Sequence, residues 1–404
     1  MSDASDHPLV YLDTPAAAAA FLEEIAGVRE LAIDTEGASF HRFVDRIYLL
    51  QFTTRDRSAV VDPLPIGAPE GLRRLIESAD VEKVFHDADY DLRLLHQDYG
   101  WAVRNVFDTR IAAQLVGLRQ FGLAALLERE FGVKLDKQYQ RADWSQRPLT
   151  RGMLDYAAQD TRFLLDLRDR LHAELERLGR LAWAAEEFAR LESIRWDADD
   201  ESAFMRMKGA RDLTRRELAV LRELTQWRDA VARELDRATF RVIGNETLFA
   251  IARQQPTTRE ALAGVKGMPR GVLEQRGPDL LEAVRRGLAV PEAELPRFAR
   301  PPRWDRDPDF DDRVTRVRAV RDAAAQRLDL DPGVLCSRDR LESVARKRPA
   351  TLEELAALPD LRRWQVDVLG AELVRALNAG GRSEAAAPAP ASESAEAESP
   401  YRDA

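Results

Sequence analysis

A single cysteine, Cys336, among 404 residues excludes an internal disulfide, and no Cys/His spacing suits structural zinc. No apolar stretch approaches the length of a membrane span. The opening residues, MSDASDHPLV, lack the basic and apolar regions of a secretory signal. A cytoplasmic protein without membrane contact is the expectation. A general excess of positive charge is missing too: the net charge is −9, which on its face argues against nucleic acid.

That average hides an asymmetry. Residues 1–202 carry 25 Lys and Arg against 37 Asp and Glu, whereas residues 203–290 carry 17 against 11. Residues 309–380 balance at 13 of each, and 381–404 carry 2 against 5. An acidic part joined to a basic one suits a metal-using catalytic region beside one that meets phosphates; a plain solvated surface is the blander reading. The length exceeds what one ordinary core organises, so two or three domains are expected.

Between residues 28 and 64 the segments VRELAIDTE, RIYLLQFTT and SAVVDPL alternate like strands, with short polar connections that predict an antiparallel meander. GLRRLIESA reads as a helix, VEKVFH as a buried strand, DYDLRLLHQDYG as a helix and WAVRNVFDT as a fifth strand. From Thr109 to about Leu191 the pattern is helical, broken near Gly132 and at Pro148. This order predicts a mixed α/β domain.

Past residue 203 the strand pattern is absent and a repeat takes over. TLFAIARQQPTTREALAGVKGM and RLESVARKRPATLEELAALPDL align without a gap at an offset of 93, and Arg228-Asp229 corresponds to Arg321-Asp322. Two copies of one small helical module are expected, over 203–290 and 309–380, joined by a proline- and charge-rich linker at 291–308. The low-complexity tail 381–404 should be disordered.

The chemistry concentrates on carboxylates. In LAIDTEG an apolar strand ends on Asp34 and Glu36, which two-residue spacing puts on one face. Such like charges are either solvated or held by a cation. FHDADYDLRLL offers Asp87, Asp89 and Asp91 at a strand–helix junction, of which Asp89 suits a helix N-cap. LDYAAQDTRFLL places Tyr156 and Asp160 at i and i+4 on one helix face. Carboxylates from a strand, a junction and a late helix are what hard divalent cations require. Among other polar residues, Asp108 reads as a helix cap, His86 as structural and Gln51 as a satisfied buried amide. Trp144 and Arg147 serve either RNA contact or loop packing.

Taken together, DTE, HDADYDLRLL and YAAQD resemble the three exonuclease motifs of the DEDD superfamily, and the tyrosine four residues before the last aspartate marks its DEDDy branch. FDTRIAAQL and LDKQYQRADWSQRPLT are similar to stretches of the ribonuclease D family, and the repeated module resembles the HRDC domain. The resemblance implies a ribonuclease H-like nuclease domain over 1–202 followed by two all-α HRDC bundles. It implies Asp34, Glu36, Asp91 and Asp160 as ligands of two Mg²⁺ or Mn²⁺ ions, with Tyr156 positioning or deprotonating the attacking water. The implied reaction is 3′→5′ hydrolysis of RNA with a free 3′ end, releasing nucleoside 5′-monophosphates, with tRNA precursors as the expected partner class and a monomer as the default. The sequence departs from many relatives in having Gly37, not an aromatic residue, directly after the glutamate; Phe40 and Phe43 follow. A DNA 3′→5′ exonuclease and a non-catalytic RNA-binding adaptor are the alternatives. Arg215, Arg216, Arg237, Arg241 and Lys266 are the candidate phosphate contacts of the first module.

Overall fold

The computed structural model describes residues 9–197, 202–298 and 307–379. The tail 381–404 and part of the linker lie outside the described residues. The chain forms two compact units, Met1–Asp305 and Arg306–Ala404.

In the first unit a six-stranded sheet runs in the order β1-β4-β3-β2-β5-β6. The strands are β1 Leu9–Leu12, β2 Glu30–Glu36, β3 Leu49–Thr53, β4 Ser58–Val61, β5 Glu82–Phe85 and β6 Val106–Asp108. β2, β3 and β4 form the expected antiparallel meander, while β5 and β6 add in parallel beside β2. β1 is not foreseen by the sequence pattern. It is four residues long and pairs parallel with β4, a non-local partner that no hairpin signal announces.

Both faces are covered, so β3 and β4 are buried throughout. One face carries Leu31, Ile33, Leu50, Phe52, Ala59 and Val61 into a core shared with Phe21, Leu72, Ile76, Leu92 and Leu95. These last come from the helices Pro15–Glu24, Glu70–Glu77 and Asp89–Tyr99. The opposite face sets Leu49 and Val60 against Trp144 and Ala157. The helix Arg151–Arg162 supplies Ala157, and Thr150 caps its N-terminus by accepting from the Met153 N–H. The helical stretch after Thr109 is more broken than expected. Gly117 ends one helix with φ of 105°, and residues 132–150 form an irregular segment between the two expected breaks.

The helical repeat survives in three dimensions at the same offset. Asn245–Gln254 corresponds to Arg338–Lys347, and Arg259–Ala263 to Leu352–Ala356. Gln255 and Arg348 both take left-handed backbone at φ 48° and 50°, ending the equivalent helices. Arg228 pairs with Asp229, and Arg321 with Asp322, as their shared position requires. The start of the expected linker packs back on the first module: Leu295 is buried, its carbonyl accepts from Arg215, and Arg211 lies over the Phe298 ring.

Candidate active site

β2 lies inside the sheet, antiparallel to β3 and parallel to β5. Its C-terminal end therefore opens where the β5–helix junction also lies, a place where α/β sheets commonly bind ligands. Asp34 and Glu36 project there on one face, and the helix Arg151–Arg162 brings Asp160 across that face. One carboxylate oxygen from each of Asp34, Glu36 and Asp160 lies within 4.8 Å of the others. All three residues are half-buried.

Crowding and burial show in their acidities. Burial, then the Asp160 charge, raises Asp34 well above the carboxylate range, against a Thr35 backbone N–H that works the other way. Glu36 is raised by burial and by Asp34, Asp160 and Asp91. Burial pushes Asp160 up to about 7. Three crowded, partly desolvated carboxylates repel one another, and a small hard dication resolves that repulsion while accepting oxygen ligands. The donor set thus fits Mg²⁺ or a similar ion.

Asp91 stands apart from this group. It is 4% exposed, and its Oδ1 accepts a 2.6 Å hydrogen bond from Thr35 Oγ1. Thr35 lies between Asp34 and Glu36 on the strand, so its side chain points to the opposite face. Asp91 is nonetheless close enough for the Asp34 charge, after burial, to raise its pKa and weaken it as an acid.

Tyr156 reaches the cluster from the same helix as Asp160. Its ring is flanked by Trp144 and Tyr139, with centroids 6.0 and 5.9 Å away. Burial, followed by the charges of Asp160, Glu36 and Asp34, pushes its hydroxyl far above the ordinary tyrosine value.

The neighbouring polar residues divide clearly. Trp144 is 1% exposed and packs on Tyr156, so it belongs to the fold. Arg147 is likewise structural: both its Nε and Nη2 bond Asp62, and it also donates to the carbonyls of Trp144, Gln146 and Tyr48. Asp108 caps the helix Thr109–Val116 through the Arg110 and Ile111 N–H groups. It also accepts from the Asp87 and Ala88 N–H groups, steadying the junction that carries Asp91. Asp89 is not the N-cap expected of it; it is the first helical residue and pairs with Arg93. Asp87 turns away to Arg110. His86 bonds Thr109 Oγ1 at 2.9 Å, and burial lowers its pKa to about 4, as befits a structural residue. Gln51 departs from expectation: it is fully buried, yet neither amide atom has a partner.

Gly37 has a steric explanation. A side chain there would run into the Tyr90 hydroxyl and the Asp45 carboxylate, which bond each other at 2.5 Å. Tyr90, 43% exposed and adjacent to Asp91, occupies that room.

In the first helical module Arg215 and Arg216 pair with Glu292, and both also donate to nearby backbone carbonyls; those of Arg216 lie at the end of the helix Arg270–Ala289. Arg241 donates to the Phe40 carbonyl in the loop after β2. These three serve packing and docking. Arg237 and Lys266 remain exposed.

Comparison with known proteins agrees with this division of the chain. Residues 9–176 match the family model described as a 3′-5′ exonuclease, and residues 217–284 and 310–377 match the HRDC domain. Ribonuclease D of Gluconacetobacter diazotrophicus is 33% identical over 364 residues, covering 87% of this chain and 90% of that protein. Ribonuclease D of Acidiphilium cryptum is 30% identical over 384 residues, covering 94% and 95%. The crystal structure of Escherichia coli RNase D, described as an exoribonuclease involved in structured RNA processing, superposes with a TM-score of 0.72 at 26% identity, covering 93% of this chain and 99% of that one.

Proposed function

Because the chain belongs to the ribonuclease D family of 3′–5′ exoribonucleases, we propose that it trims RNA with an unpaired 3′ end one nucleotide at a time, releasing nucleoside 5′-monophosphates. Precursors of tRNA and other small structured RNAs are the substrate class in this reading. The convergence of Asp34, Glu36 and Asp160 within 4.8 Å is the observation that carries it.

In this reading Asp34, Glu36, Asp160 and Asp91 would hold two divalent ions, Mg²⁺ or Mn²⁺, with the first three forming the converging part of the site. A bound pair supplies charge stabilisation for the attacking and leaving oxygens of an in-line phosphoryl displacement. Tyr156 keeps its proton at neutral pH, which favours orienting the attacking water over deprotonating it. Its packing against the tilted Trp144 ring and edge-on against Tyr139 supports a fixed place for that hydroxyl. Arg237 and Lys266 are the remaining candidates of the first module for sequence-independent phosphate contact.

The domain limits proposed are 1–202 for the nuclease, 203–290 and 309–380 for the helical modules and 291–308 for the linker. The protein acts as a cytoplasmic monomer in this reading; no helix among the described residues is long and apolar enough to cross a membrane.

Matched RNA and DNA oligomers, labelled at the 5′ end, test the proposal in Mg²⁺. The RNA should shorten stepwise from its 3′ end with 5′-monophosphate products, and the DNA should persist. Degradation of both at equal rates, or RNA loss from the 5′ end, overturns the reading.

A further inference from the structure

Gln51 sits in the middle of β3 with 0% exposure, and both Nε2 and Oε1 lack a hydrogen-bond partner. Buried polar groups are almost always paired, so a whole amide left over calls for an explanation. Its place in the sheet offers one. Gln51 and Asp34 are Cα partners across the antiparallel β2–β3 pair. Directly opposite residues share a face, with Cβ atoms about 4.5–5.5 Å apart. The same face is roofed by the helix Arg151–Arg162. That helix is pinned there by a 2.8 Å bond between Thr161 Oγ1 and Thr53 Oγ1, two residues along β3 from Gln51. Thr161 follows Asp160 directly. Gln51 thus lies beside Asp34 on the sheet face that the helix carrying Asp160 covers.

We infer that Gln51 is a positioning residue for the cation site: its carboxamide donates to the Asp34 carboxylate when a divalent ion organises the cluster. The residue type suits that task. A lysine or arginine at position 51 would neutralise Asp34 and compete with the cation, and a further carboxylate would add to the repulsion. A neutral donor orients the ligand without doing either. The inference rests on Asp34, Glu36 and Asp160 being metal ligands.

The near-isosteric Gln51→Met separates a positioning role from a packing one. Removing an orphaned amide should raise the melting temperature of the metal-free protein by a few degrees. Mn²⁺ affinity, read by electron paramagnetic resonance of the free ion, should fall about 10-fold or more. At saturating Mn²⁺, kcat should fall while KM for RNA stays unchanged. Gln51→Leu should move each readout the same way. A lower metal-free melting temperature in both variants marks Gln51 as a packing residue and overturns the inference. Unchanged Mn²⁺ affinity also overturns it, provided that Asp34→Asn, measured alongside, loses binding. If Asp34→Asn binds Mn²⁺ normally, it is the assignment of the ligands that fails.

Discussion

Thr35 Oγ1 donates a 2.6 Å hydrogen bond to Asp91 Oδ1, so the second acidic motif is tied to the strand of the first through the residue between its two carboxylates. Asp34 and Glu36 face the helix Arg151–Arg162, and Thr35 faces the other way to hold Asp91. Thr35→Val keeps the shape and removes the donor. With Asp91 left buried and short of a partner, the metal-free protein should lose about 1–3 kcal/mol of stability. Thermal unfolding with and without Mg²⁺ checks this. A cation that recruits Asp91 makes the deficit smaller, and an equal deficit in both conditions counts against Asp91 as a ligand.

Removing one charge from the cluster should move activity and stability in opposite directions. Asp160→Asn relieves the repulsion that raises Glu36 and Asp34, so the metal-free variant should melt at a higher temperature than the parent. Its RNA hydrolysis should fall by roughly 10³-fold, as expected when charge stabilisation worth several kcal/mol is lost. Chelation should silence the parent protein and leave the variant's residual rate nearly unchanged. Calorimetry and single-turnover assays give both readouts.

His86 predicts an acid-side loss of stability. Its pKa in the folded protein is about 4, below the ordinary value of about 6.5 for an unfolded chain. Between those values the unfolded chain takes up the proton first, so stability present above about pH 6.5 is lost as the pH falls toward 4. The full contribution is about 3 kcal/mol. In urea unfolding across that range, His86→Gln should show a flatter decline than the parent. Parallel curves count against the prediction.

Arg147 braces the loop that holds Trp144 against Tyr156. Burial pushes the Asp62 carboxyl up, but Arg147, the Tyr11 hydroxyl and the Leu64 N–H more than offset that and hold it below its usual value. Arg147→Met leaves Asp62, whose side chain is 2% exposed, without its counter-charge. The expected cost is about 3 kcal/mol. Tyr156 should lose its fixed place, lowering kcat more than it raises KM. Denaturant unfolding and steady-state kinetics test the pair, and an active, fully stable variant counts against a bracing role for this loop.

Local spacing was enough to reveal the two-residue pair on β2, the i and i+4 pair on the late helix and the helical repeat, because each depends on chain neighbours and a fixed period. The αL endings at Gln255 and Arg348 follow from the same repetition. Contacts between residues distant in the chain were beyond its reach. The pairing of β1 with β4, the burial of Trp144, the ion pair of Arg147 with Asp62 and the unpartnered state of Gln51 all depend on which surfaces meet after the sheet is covered. Asp91 shows the distinction most plainly. Its presence near the strand end could be read from the motif, but only packing turned it to Thr35 and set it apart from the three converging carboxylates, since which face a buried side chain meets is decided by the register of neighbouring elements.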